Sequence, residues 1–309
     1  MFSILAASLI FGLVHPGSKW ILGQGIDLLS FCILYVLIRW LAQIPFVLRT
    51  RSYRVSGRWN GLLLLLIGLV GAALQFSEFM GIADGLPVPI VAFLVYSHPI
   101  WSMLFSRVIN KERFTAVAFV QVTLGILGIV CITEGEIVLA NLQLARLLPP
   151  LFAGVMIALW ISLANKAKKS GTSAGTISFY FDLFALLALL GVRSAHLVQS
   201  APILEAVTWL HSARHFWAIA GYSIFVGLVP NLLFYRGSMT TPARTAGLVL
   251  LIEPVVATFA SHWIWQDSLP PLFLLGTALI LFAGLPIAQW QVRKPRIQWR
   301  YANPLLLLK

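Results

Sequence analysis

The chain has 309 residues, 59% of them hydrophobic and only 10% charged, with 22 Lys and Arg against 10 Asp and Glu for a formal net charge of +12. Soluble domains carry about 25% charged residues, so this composition excludes a water-soluble globular protein and predicts an all-α integral membrane protein. Gly and Pro punctuate long apolar runs without cutting them into short alternating segments, which argues against a membrane β-barrel.

Runs of about 20 apolar residues suffice to cross the hydrocarbon core. Ten can be placed in chain order, at 2–22, 28–48, 61–83, 88–107, 114–133, 147–165, 174–192, 216–235, 244–265 and 271–290. The first has neither a charged leader nor a small-residue cleavage site, so it is read as a span and not as a removed signal peptide. Between the seventh and eighth, residues 201–215 are polar enough for a loop carrying a short interfacial helix.

Basic residues collect in alternate connections: Arg49 to Arg58, then Arg107 to Arg113, Lys166 to Lys169, Arg236 with Arg244, and the tail from Arg293 to Lys309. Basic loops stay cytoplasmic, so both termini are predicted on that side. Losing or adding one span would put basic loops on both faces. The anionic inner leaflet accounts for a basic face with no nucleic-acid partner.

Residues 86–112, LPVPIVAFLVYSHPIWSMLFSRVINKE, and residues 241–267, TPARTAGLVLLIEPVVATFASHWIWQD, are two versions of one segment. Pro87 falls on Pro242, Pro99 on Pro254, Glu112 on Asp267, and His98 on Glu253. An internal repeat on this scale in a membrane chain indicates two related halves with a binding site near the midplane where they meet. Five spans per half invert the second. The expected organisation is a first repeat at 1–133, an external linker at 134–146 carrying Glu134, Glu136 and Asn141, a second repeat at 147–292 and a basic cytoplasmic tail at 293–309. Such halves suit alternating access, one rocking against the other around a fixed site.

Ionisable groups at membrane depth are costly and normally face a water-filled path. At about 1.5 Å per residue, His98 and Glu253 fall near mid-membrane. Each is followed by proline, which leaves carbonyls a turn earlier without their usual partner and free to bind a substrate ammonium or a coupling ion. The competing reading is that both merely lock packing. Nearer the outside, Lys19 and Glu78 lie at similar depth, where they could pair to close a gate, or meet a substrate carboxylate and amine respectively. Against this, Lys19 could simply snorkel to the headgroups. His15 precedes Lys19 by one turn and Gln75 precedes Glu78 by one turn, extending both faces.

Asn231, Tyr235, Trp160, Tyr96 and Trp101 are further cavity candidates able to stack on or hydrogen-bond a cargo, or else ordinary packing residues. Lys19, Glu78, Glu253 and Arg39 form the gating or coupling set. Arg39, in the second span, requires an acidic or carbonyl partner that the sequence does not name, and Asp182 in the seventh is likewise unassigned. Gly125, Gly128, Gly276 and Gly284 would let helices approach closely, within one chain or across a dimer. Cys32 and Cys131 are expected as two free thiols, with a disulfide as the alternative.

No HExxH, GxSxG or phosphate-cradling GxxxxGKS/T occurs, so the expectation is a non-enzyme with no cofactor and no metal. Energy must then come from a gradient. Glu78, Glu253 and His98 are the groups that could carry a coupling proton, and uniport is equally allowed.

Three features carry a resemblance: FGLVHPGSKW at 11–20, the proline-bearing fourth and ninth spans running into NKERF and WQDSL, and the glycine-rich LGILGIVCI and LGTALILFAG of the fifth and tenth. On these the chain resembles ten-helix EamA-type members of the drug/metabolite transporter superfamily over nearly its whole length. The resemblance implies a secondary transporter of the bacterial cytoplasmic (inner) membrane, monomer or homodimer, exporting small metabolites through a central cavity. Among relatives it points to amino-acid exporters, aromatic ones in particular, in keeping with 11 Trp and 20 Phe. The alternatives are a broader drug or nucleoside exporter and a membrane-embedded lipid flippase or transferase. A channel is disfavoured because the halves differ at His98 and Glu253.

Overall fold

The computed structural model describes residues 2–51, 53–55, 57–86, 88–111, 116–133, 144–195, 202–266, 269 and 271–284. Pro87, Glu112, Asp267, most of the linker with Glu134, Glu136 and Asn141, and the basic tail lie outside these. Among the described residues every regular element is helical: α1 Phe2–Phe11, α2 Val14–Leu22, α3 Leu28–Thr50, α4 Arg58–Ala83, α5 Val88–Val95, α6 His98–Asn110, α7 Ala116–Thr133, α8 Leu144–Lys169, α9 Ala174–Ser194, α10 Ile203–Leu210, α11 Ala213–Gly221, α12 Val229–Ser238, α13 Ala243–Leu250, α14 Ile252–Trp265 and α15 Phe273–Gly284. A π-helical segment, Tyr222–Leu228, joins α11 to α12.

Seven helical runs among the described residues are long and apolar enough to cross a membrane: Phe2–Leu22, Leu28–Thr50, Arg58–Ala83, Ala145–Lys169, Ala174–Ser194, Ala213–Ser238 and Thr245–Ile264. The other three expected runs take a different form. The fourth is interrupted between α5 and α6, and the fifth and tenth contain the shorter apolar helices Phe119–Cys131 and Phe273–Ala283. The first is not one continuous helix either, since Gly12 and Leu13 form a turn between α1 and α2.

Local chemistry explains most boundaries. Asp27 caps α3 by accepting from the Ser30 amide at 3.1 Å, and Ser173 caps α9 by accepting from the Thr176 amide at 3.1 Å. At the end of α8, the Gly171 amide donates to the Lys168 carbonyl at 2.8 Å and the Thr172 amide to the Ala167 carbonyl at 3.1 Å, a Schellman closure with Gly171 at φ +84°. Gly171→Ala forces a Cβ into the left-handed region, and the expected cost is about 1 kcal/mol, read as a lowered thermal midpoint of the purified protein. The same local geometry recurs in the two similar segments. Both are interrupted just before the His98-Pro99 or Glu253-Pro254 pair, and both end on a residue with positive φ, Lys111 at 56° and Gln266 at 58°.

Packing follows small residues. A methyl on Gly128 would come within 2.8 Å of the Gly276 carbonyl, so α7 and α15 meet almost backbone to backbone within one chain. One apolar cluster joins α1, α4, α8, α9 and α12 through residues such as Ile67, Trp160, Phe181 and Phe234. A second gathers α2, α3, α4 and α9 around Phe31, Tyr35, Phe79 and Tyr222. Outward-facing side chains such as Leu274 and Trp263 are apolar and 80% and 78% exposed, as lipid contact requires. The polar 201–215 region does contain a short helix, α10. It is tied to the α2–α3 turn by the Trp209 indole, which donates to the Gln24 carbonyl at 3.1 Å.

Candidate functional site

Beside the α1–α2 and α13–α14 interruptions the bundle forms a half-open cavity with about 570 Å³ of empty space, the open space at its mouth included. Its wall comprises Phe11 and Val14 from α1 and α2, Tyr35 and Arg39 from α3, Leu74, Gln75, Glu78 and Phe79 from α4, Ile157 and Trp160 from α8, Phe181 from α9, Asn231 from α12, and Leu250 with Glu253 from α13 and α14. On α4 the spacing is that of one helical face, so Gln75 and Glu78 necessarily point the same way. The α1–α2 turn reaches the wall because Gly12 has no side chain: a Cβ there would collide with Val256 and lie 3.0 Å from the Glu253 carbonyl. Gly154 on α8 approaches the α5–α6 interruption in the same manner, with an added Cβ 2.8 Å from the Val95 carbonyl and 2.9 Å from that of Leu94.

The guanidinium of Arg39 is 2% exposed and donates through Nη2 to Asp182, itself fully buried. Its Nη1 donates to Gln75 Oε1 at 3.3 Å, while Gln43 Nε2 donates to the other Asp182 oxygen at 2.6 Å. The guanidinium carbon lies 4.7 Å from the Tyr35 ring centroid and 5.4 Å from that of Phe181. Arg39 Nε has no hydrogen-bond partner among the described residues. The π-helical segment makes room for this arrangement. Gly227 lies so close that an added Cβ would stand 2.7 Å from both Arg39 Cδ and the Tyr35 ring.

The structure brings together Glu78, Gln75, Glu253, Trp160, Asn231 and Arg39 on one wall. His15 is buried behind it with Nδ1 3.6 Å from Glu78 Oε1, and Tyr96 packs edge-on to the His15 ring at 5.8 Å with its hydroxyl turned towards Glu253. Tyr235 is buried beside the cavity, where its hydroxyl accepts from the Trp160 indole at 2.9 Å. Glu78 faces the His15 imidazole, and Lys19 is exposed one turn beyond that buried histidine. Lys19 is near enough to the helix end for its long side chain to reach out of the bundle.

His98 lies off the cavity wall. It is 1% exposed, shares a face of α6 with Ser102, Ser106 and Asn110 at four-residue spacing, and sits beside Gly247. Neither ring nitrogen has a partner among the described residues, nor does the indole nitrogen of half-buried Trp101. Cys32 and Cys131 are free thiols.

Sequence reasoning named the polar wall but not its aromatic surfaces, Phe11, Tyr35, Phe79 and Phe181, nor the Arg39–Asp182 pair. A signal for the pair existed: a lone base and a lone acid, each buried in a span with no local partner, satisfy one another.

The EamA-like transporter family model matches this sequence twice, over residues 1–134 and 147–288. The chain belongs to that family. Among its relatives, an uncharacterized transporter of Archaeoglobus fulgidus is 27% identical over 287 residues, covering 93% of this chain and 94% of the relative. An uncharacterized transporter of Clostridium kluyveri is 23% identical over 244 residues, covering 77% and 75%. A protein crystal structure with 15% identity superposes with a TM-score of 0.70, covering 92% of this chain and 94% of that one, so the fold is shared with a solved structure. The EamA-like chain is an integral membrane transporter.

Proposed function

We propose that this EamA-like protein is a secondary transporter that exports small metabolites, amino acids foremost and aromatic ones among them, across a bacterial cytoplasmic membrane. In this reading ten spans form two inverted five-helix halves with both termini cytoplasmic, and alternating access proceeds around the central cavity. The observation that carries it is the wall itself, where Glu78 and Glu253 face a common space edged by aromatic rings and crossed by helices from both halves. The paired family match and the recurrence of helix interruptions in the two similar segments support the repeat. Glu253, placed at a helix interruption and open to the cavity, is the group assigned to cargo or proton binding, with Glu78 and its imidazole partner His15 beside it. The cargo is a small molecule, a proton is the coupling ion, and the exposed apolar faces meet lipid.

Uptake of labelled amino acids, nucleosides and phospholipid analogues into proteoliposomes, with and without a pH gradient, tests this. Saturable amino-acid uptake that depends on the gradient and falls at least tenfold in Glu253→Gln is the expected result. Wild-type uptake in that variant removes Glu253 from the mechanism, and flux confined to the lipid analogues replaces the exporter with a flippase.

A further inference from the structure

We propose that the cavity selects for the amine of its ligand and discriminates against a carboxylate, so that aromatic and apolar amines are preferred over the corresponding amino acids. This inference rests on the cavity being the transport site and goes beyond that reading by placing amines ahead of amino acids in it.

The argument is one of uncommitted charge. Arg39 is the only basic residue on the wall among the described residues, and its positive charge is already met by Asp182. One Nη donates to that aspartate and the other to Gln75, so a carboxylate gripping the guanidinium bidentately would compete with contacts already made within the protein. An incoming carboxylate would therefore approach a neutral ion pair while facing Glu78 and Glu253 across the same space. Once either acid is ionised, its like charge in a poorly screened interior opposes such a ligand.

An ammonium meets the reverse situation. Two carboxylates without a cationic Lys or Arg partner on the wall are available to it, and ring faces surround them. The cavity already demonstrates that its rings tolerate a cation, because the Arg39 guanidinium lies over both Tyr35 and Phe181. Phe79 and Trp160 extend the same aromatic surface, which supplies apolar contact for the remainder of the ligand. A zwitterion gains the ammonium contacts but pays for its carboxylate, and it should rank between amine and acid.

The test uses three molecules that differ only in these groups: 2-phenylethylamine, phenylalanine and 3-phenylpropionate, with the matching indole series of tryptamine, tryptophan and 3-indolepropionate to allow for ring size. Binding to the full-length protein in lipid nanodiscs is measured by calorimetry at one pH and salt concentration. The amine should bind at least tenfold tighter than the amino acid, with the acid weakest. Glu78→Gln and Glu253→Gln should each weaken amine binding at least tenfold in protein whose thermal transition is retained. Tighter binding of the amino acid than the amine, or binding of the acid alone, overturns the proposal and makes Arg39 a carboxylate receptor. Amino-acid uptake by a protein that binds no amine sinks the inference while leaving the exporter reading in place. Absence of binding in both series together with absence of uptake removes both. The wild-type comparison decides the matter even where a variant fails to fold.

Discussion

Asp182→Ala is expected to destabilise the protein by about 3–5 kcal/mol, among the largest effects available to a single substitution here. Arg39 is 2% exposed and stays charged, so removing its acidic partner Asp182 leaves a buried charge that, among the described residues, keeps an amide and two ring faces. Asp182 also ties α9 to α3 through Gln43, and that link would go with it. The check is the thermal midpoint of detergent-solubilised protein, followed by chromatographic monodispersity after heating. Replacing both partners by apolar residues of similar volume, Arg39→Met with Asp182→Leu, should recover most of the loss, because a buried pair is weak in net stabilisation even though breaking it is costly. A single Asp182→Ala variant as stable as the wild type would mean that the guanidinium finds water or another acid when the aspartate is gone.

Gly12→Val and Gly154→Val are expected to abolish transport, with uptake lowered more than tenfold. Each glycine lies against the backbone of an interrupted helix: a Cβ at Gly12 would be 3.0 Å from the Glu253 carbonyl, and one at Gly154 would be 2.8 Å from that of Val95. Backbone cannot rotate aside as a side-chain tip can. The helices must separate, at about 1–3 kcal/mol for each overpacked site, and the wall that Glu253 completes shifts with them. Gly61→Ala, with nothing within 4 Å of its added Cβ, is the control and should transport normally. Uptake at the wild-type rate by Gly154→Val would show that α8 and the α5–α6 interruption do not need their close approach.

Among the described residues, seven of the ten expected runs were legible as membrane-length helices because 20-residue apolar runs have few other uses. The interruptions were only half legible. Pro99 and Pro254 announced irregular backbone, yet the structure breaks the helices before His98 and Ile252, on the N-terminal side of each proline, where its ring clashes and its missing donor would be needed. Nothing distinguished Gly12 from other glycines in an apolar run, and the Tyr222–Leu228 π segment has no composition of its own. The acids of the cavity could be found by their cost at depth. The aromatic wall could not, since Phe181 facing the cavity and Phe282 facing outward at 60% exposure sit in equally apolar surroundings along the chain. Arg39 and Asp182 are 143 residues apart, and only the fold makes them neighbours.

His98 and Glu253 occupy matching places in two versions of one segment, yet only Glu253 reaches the cavity wall. A site assembled from two identical chains would offer every ligand two equivalent poses, head up and head down. A single covalent chain removes that degeneracy, because each copy is free to change alone. The two copies therefore contribute unequally: Glu253 lines the cavity, while the matching His98 is buried off its wall beside Gly247.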